Sequence, residues 1–144
     1  MRVLFDGSVI IAAIIEAHPK HEMAIEWLLK AKTKKFKLVI SSHSLLEVYS
    51  VLTAAPFKPK ISPSTARKLV DANIKKIASV HSINGNEYFR LIDKVSNLNL
   101  KGGIVYDALI YECARKAKAK EIVTLNAKDF KRLNINNEIK ITSF

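Results

Sequence analysis

Three carboxylates stand alone inside strongly apolar stretches of this chain: Asp6 in MRVLFDGSVII, Glu47 in HSLLEVYSVL and Asp107 in GGIVYDALIY. They lie more than forty residues apart, so only tertiary structure can bring them together. Asp107 is the sole charge between Ile104 and Tyr111, and a charge on such a segment costs several kcal/mol unless it is neutralised or partnered. Any fold of this chain must supply that partner. A divalent cation held by oxygen ligands is one that serves all three acids at once.

The apolar stretches alternate between strand length and helix length. Met1 to Phe5 read as a strand, Asp6-Gly7-Ser8 as a break and VIIAAII as the start of a helix. His21 to Lys32 read as a second helix, with Glu22 and Glu26 on a solvated face. Phe36 to Ser41 form a strand, followed by a helix from Ser42 or Ser44 to Ala54 that places Glu47 in its first turn or so. Pro56, Pro59 and Pro63 mark a loop, and Ser62-Pro63 open a helix running to about Lys76. Strand IASVHSI, a helix from Gly85 to Ser96, a helix from Ile104 to about Ala119, strand EIVTL ending at Asn126 and a short strand in ITSF complete the pattern. Strands alternating with helices predict an α/β fold, a parallel sheet covered on both faces, with its site outside the carboxyl ends of the strands. At 144 residues and 49% hydrophobic the chain is expected to form one domain, residues 1–144.

Twenty-four Lys and Arg against thirteen Asp and Glu give a formal charge of +11, which favours a polyanionic partner, nucleic acid first among them. The cations concentrate in AKTKKFK, KPK, RKAKAK and KDFKR, away from the three isolated acids. Lysine-rich runs that merely solvate the surface are the plainer explanation of the same composition. The chain has no apolar run of membrane-spanning length and no signal-peptide pattern, so a cytoplasmic protein without membrane contact is expected. The one cysteine, Cys113, fits a buried small hydrophobe. Glu112, with Arg115 and Lys116 three and four residues on, reads as a surface ion-pair partner. The histidines, His43 included, show no ligand spacing and read as exposed or helix-start residues.

A strand ending in DGSVIIAAI, a helix carrying SLLEVYSVLT, then GGIVYDALI with ECARKAKAKEIVTLNAKDF, resemble in order and spacing the PIN-domain ribonucleases, and most nearly the VapC toxins of type II toxin–antitoxin systems. The resemblance implies a PIN-like three-layer α/β/α fold with a central parallel sheet of four to five strands. It also implies a metal-dependent endoribonuclease using Mg²⁺, or Mn²⁺ in its place. Asp6, Glu47 and Asp107 match the family's acids and would be both metal ligands and catalytic residues. Ser8 matches the hydroxyl that accompanies the first of them, and Thr124 and Asp129 would support the pocket.

One position departs from the family's T-x-D segment: here it reads Thr124-Leu125-Asn126. Asn126 can offer a carbonyl oxygen to a metal or its water but brings no charge, which leaves open whether the site takes one ion or two. The implied partners are an RNA substrate, a cognate antitoxin and a second copy of the chain. The rival reading is a non-catalytic RNA-binding or protein-interaction module on the same fold, its acids structural. Neither a D-x-D after the first strand nor a glycine-rich phosphate loop is present, so phosphotransferase and nucleotide-binding routes have no support.

Overall fold

The computed structural model describes residues 1–144 and contains five strands, β1 (Arg2–Phe5), β2 (Lys37–Ser41), β3 (Ala78–His81), β4 (Glu121–Val123) and β5 (Lys140–Thr142). All neighbouring strands pair in parallel, in the order β3-β2-β1-β4-β5. β1 is thus the central strand. From it the chain winds outward one way through β2 and β3, then returns to the other side for β4 and β5. The point where winding reverses, between β1 and β4, is where parallel α/β sheets open a crevice at their carboxyl edge.

Seven helices cover the sheet in two layers. One layer holds α1 (Gly7–Ile14), α2 (His21–Lys32), α3 (Ser42–Ala54) and α4 (Pro63–Val70). The other holds α5 (Gly85–Asn97), α6 (Ile104–Lys116) and α7 (Ala127–Leu133). The strands read as unbroken apolar runs because both their faces are buried. Val3, Phe5, Leu38, Ile40 and Val123 point into the layer of α1 to α4. Leu4, Val39 and Ile122 point into the opposite layer, beneath α6 and α7. Each fully buried aliphatic or aromatic side chain contributes about 1.5–3 kcal/mol, and Phe5, Leu4, Ile10, Leu28, Ile110 and Phe130 are all of that kind.

Side-chain caps fix where several helices begin. The Ser41 hydroxyl accepts from the Ser44 N–H and starts α3 at once after β2. Ser62 does the same for α4, with Pro63 in the first turn. Asn84 and Glu87 form a reciprocal capping box at α5. Cys113 is buried, and burial pushes its thiol up to about 11, which suits a packing role. No helix is long and apolar enough to cross a membrane.

The structure differs from the sequence expectations at several boundaries. α4 stops at Val70 and passes into a wide π-type turn, Asp71–Lys75, instead of continuing as one α-helix. α6 ends at Lys116, and β4 ends at Val123 rather than reaching Asn126. The KDFKR segment, expected only as a basic run, forms α7, anchored by Phe130 and Leu133 in the core. Because Ser41 caps α3 early, Glu47 falls in the second turn, not the first.

Candidate active site at the carboxyl edge

β1 delivers Asp6 to the carboxyl edge of the sheet, where its N–H donates to the carbonyl of Val123 at 3.0 Å, beside the end of β4. Asp6 directly precedes α1, yet its side chain does not cap that helix. It turns instead toward β4. Its Oδ2 accepts from Ser8 Oγ at 2.9 Å and from Thr124 Oγ1 at 2.8 Å, while the residue stays only 7% exposed. The two hydroxyls are themselves held: Ser8 Oγ accepts from the Leu125 N–H and Thr124 Oγ1 from the Asn126 N–H. The result is a closed set of bonds that locks the first acid and the turn after β4 together. Both donors converge on Oδ2, which leaves Oδ1 without a protein partner.

Glu47 approaches from α3. Burial is the main cause of its raised pKa; the nearby His43 opposes that shift and Asp6 adds to it. Its Oε1 is buried and accepts no hydrogen bond, although His43 Nε2 lies 3.3 Å away, outside hydrogen-bonding alignment. No Lys or Arg pairs with Glu47; its nearest cationic partner is His43. That histidine stands at a helix start, as expected, and from there reaches Glu47. Its position four residues before Glu47, one helical turn, is the signal that identifies the pair.

Asp107 stands in the first turn of α6. Burial first, then the charges of Asp6, Asp129 and Glu47, push its carboxyl up to about 7. Three elements, β1, α3 and α6, thus place three acids close enough that each feels another's charge. Asp129 joins them from α7, with Arg132 Nη1 3.8 Å from its carboxylate.

Asn126 behaves differently from the expectation of a carbonyl donor. Its Nδ2 is directed at the acids, donating to Asp129 Oδ2 at 2.9 Å and more loosely to Asp107 Oδ2 at 3.4 Å. The amide bridges two carboxylates from the position of a fourth acid, offsetting repulsion that an Asp there would increase. Thr124, expected to line the pocket, is fully buried and acts on Asp6 from behind.

No group of three Asp, Glu, His or Cys side chains stands in position to hold a metal ion as the side chains lie. What the structure has is a half-open group of acids with an orphaned buried oxygen on Glu47, a free Oδ1 on Asp6 and an Asp107 whose charge is disfavoured by its neighbours. That donor set fits a hard cation that keeps several waters and takes only a few carboxylates, as Mg²⁺ does. It does not fit a fully enclosed ion.

The surroundings are basic, but not evenly. α7 sets the exposed Lys128, Lys131 and Arg132 on the helix that carries Asp129. RKAKAK is partly spent: Arg115 pairs with Glu112 and Glu138, and Lys116 pairs with Glu87 rather than Glu112. AKTKKFK lies at the opposite, amino edge, where Lys32, Lys34, Lys37 and Lys76 border a cavity of about 570 Å³. The acids line none of the larger cavities; their site is open to the surface.

Comparison with known proteins gives a consistent picture. A PIN domain family model matches residues 3–136. Ribonuclease VapC40 of Mycobacterium tuberculosis is 32% identical over 117 residues, 80% of each chain. Ribonuclease VapC27 of the same organism is 27% identical over 123 residues, 85% of this chain and 83% of that one. Among solved structures, VapC20 of Mycobacterium tuberculosis, described as a sarcin-ricin loop cleaving toxin, superposes with a TM-score of 0.70 at 12% identity, covering 90% of this chain and 93% of its own. DNA-bound VapBC from Salmonella typhimurium gives 0.67 at 17% identity, over 99% and 98% of the two chains.

Proposed function

This chain belongs to the PIN-domain family, as a VapC-type toxin, and from that premise we propose that it is an endoribonuclease that hydrolyses RNA phosphodiester bonds with a bound divalent metal. The observation that carries the proposal is the meeting of Asp6, Glu47 and Asp107, from three separate elements, at the carboxyl edge of the sheet, with Asp107 pushed up to about 7 by burial first and then by its acidic neighbours. A purely structural role would give each acid a full set of protein partners, whereas here Asp107 is buried among other acids and Glu47 Oε1, with only His43 nearby, accepts no hydrogen bond.

Asp6 and Asp107 would hold Mg²⁺ or Mn²⁺, with Glu47 bound directly or through water. The ion, when bound, supplies charge that acidifies a water and offsets negative charge building on the phosphoryl oxygens. The protein's own part is positional. Ser8 and Thr124 fix Asp6 through Oδ2, so that Oδ1 keeps one orientation. Glu47, on α3 beside His43, would hold the ion or one of its waters through its half-buried carboxylate. Asn126 bridges Asp107 and Asp129 and offsets their mutual repulsion. Lys128, Lys131 and Arg132 attract the backbone phosphates, and cleavage leaves a 5′-phosphate and a 3′-hydroxyl.

The partners follow from the same reading. A cognate antitoxin would neutralise the site by inserting an Arg among the carboxylates, where its guanidinium forms the strong bidentate pairs that acids offer. A second copy would cover apolar surface such as Leu46 on α3 or Phe89 and Ile92 on α5, exposed at 73%, 71% and 57%. Light scattering that finds a monomer at tens of micromolar would remove the dimer from this account.

The deciding experiment is cleavage of total cellular RNA by purified protein in Mg²⁺, Mn²⁺ or EDTA, beside a folded Asp6→Asn/Asp107→Asn variant. Discrete fragments that require the metal and vanish in the variant are expected. RNA binding without cleavage, indifferent to EDTA and to both substitutions, would replace the nuclease by the binding module.

A further inference from the structure

Beside the acids stands an aromatic pair that the proposed chemistry does not use. Tyr106 immediately precedes Asp107 on α6, and more than half of the residue, 55%, is exposed. Its ring lies parallel to the imidazole of His43 on α3, with centroids 5.2 Å apart and planes 3° from coplanar orientation. His43 is in turn held near Glu47, 3.3 Å from Nε2 to Oε1. One face of the tyrosine is therefore covered by a side chain itself tied to a site carboxylate, and the exposure belongs to the rest of the ring.

This arrangement differs from the other open aromatics. Phe89 and Tyr88 on α5 have no ring partner. Tyr106 does, and the stack joins α3 to α6 at the point where these helices present Glu47 and Asp107. A ring whose rotation is restrained before binding loses little entropy when a second planar group settles on it. Unpaired bases are such groups: each has a π-face, and single-stranded RNA is bound by stacking its splayed bases on aromatic side chains.

We infer that Tyr106, braced by His43, is the stacking platform for an unpaired RNA base next to the scissile phosphate. The inference rests on the nuclease reading and adds a substrate-binding residue to it: a base stacked within a duplex has no face to give, so the base that Tyr106 takes is unpaired. It makes Tyr106 a substrate-binding residue with little preference among bases, because stacking is tolerant of sequence.

The test uses the full chain and a short single-stranded oligoribonucleotide carrying 2-aminopurine, with binding followed by anisotropy and stacking by quenching of the 2-aminopurine fluorescence. Cleavage of RNA in Mg²⁺ or Mn²⁺ is measured in parallel. Tyr106→Phe and Tyr106→Trp should retain quenching and KM. Tyr106→Ala and Tyr106→Leu should lose the quenching and raise KM roughly fivefold to a hundredfold, the effect of removing one base stack, with a much smaller change in kcat. Leu keeps apolar volume without a π-face, so a packing role alone would leave that variant near wild type, and unchanged melting temperatures exclude unfolding as the cause. Wild-type cleavage with the Ala and Leu variants unchanged in KM and quenching overturns this assignment alone. Wild-type protein that neither binds nor cuts RNA overturns the nuclease reading and this inference with it.

Discussion

Thr124 donates its hydroxyl hydrogen to the Asp6 carboxylate at 2.8 Å, joining residues 118 positions apart. The bond is buried and charge-assisted, and the same oxygen accepts the Asn126 N–H. One side chain thereby sets both the first acid and the turn that carries the fourth site position.

Removing that hydroxyl should cost stability as well as activity. Thr124→Ala is expected to lose about 1.5–3 kcal/mol, the range for a hydrogen bond to a charged group whose buried partner is left behind. Thr124→Ser should recover most of it, since it keeps the oxygen. Urea denaturation with EDTA present measures both; an Ala variant as stable as wild type would show that Asp6 does not depend on Thr124.

The metal-free protein should weaken as pH rises. The folded state holds the Asp107 proton more tightly than the unfolded chain does, its carboxyl being raised from 3.8 to about 7 by burial and by Asp6, Asp129 and Glu47. Its contribution is therefore fully present below about pH 4 and is lost as pH climbs through 7. Melting temperatures in EDTA between pH 5 and 8 should fall more steeply for wild type than for Asp107→Asn. Equal slopes would mean that Asp107 does not carry the effect.

Glu47→Gln should separate stability from function. It removes a half-buried charge whose Oε1 lacks a donor, so the apo protein should gain a few tenths to about 1 kcal/mol, discounted for the exposure of the side chain. Cleavage should fall by about a hundredfold or more. A variant that is destabilised and still active would reverse both assignments.

Asn126→Asp supplies the acid that this chain lacks. It replaces an amide that donates to Asp107 and Asp129 by a fourth negative charge. We expect a less stable metal-free protein and a divalent-ion affinity higher by about one order of magnitude, since affinity follows the number of charged ligands. Titration calorimetry with Mn²⁺ checks the second, and no change in affinity would place residue 126 outside the cation's reach.

Glu112 serves as the internal control. It lies on α6 with Asp107 but is engaged by Lys94 and Arg115 at 2.7 and 3.2 Å on the partly exposed surface. Glu112→Gln should change stability by less than about 1 kcal/mol and leave RNA cleavage intact. Loss of cleavage in this variant would show that acids on α6 are not distinguishable by their partners.

The sheet was legible because a strand buried on both faces leaves an apolar run that nothing interrupts, and a lone acid stands out at the end of such a run, as Asp6 does, or inside an apolar helix segment, as Glu47 and Asp107 do. Asp6, Glu47 and Asp107 could be picked from sequence on that ground. What could not be read depends on contacts between elements. α7 is short and strongly charged, and only Phe130 and Leu133 tie it to the core, too few apolar positions to mark a helix by period. The tyrosine at 106 gains its partner only when α3 and α6 meet. The orientation of the Asn126 amide is set by acids on α6 and α7, which residue type alone does not reveal.

The central place of β1 has a consequence for the order of synthesis. Asp6 and Thr124 stand 118 positions apart, so β1 gains its β4 neighbour, and Asp6 its Thr124 hydroxyl, only when the whole stretch between them has been made. Until then one edge of the innermost strand is bare and Asp107, Asp129 and Asn126 are in turn missing. The acids of the site are therefore brought together late and all at once, when the turn after β4 closes on Asp6.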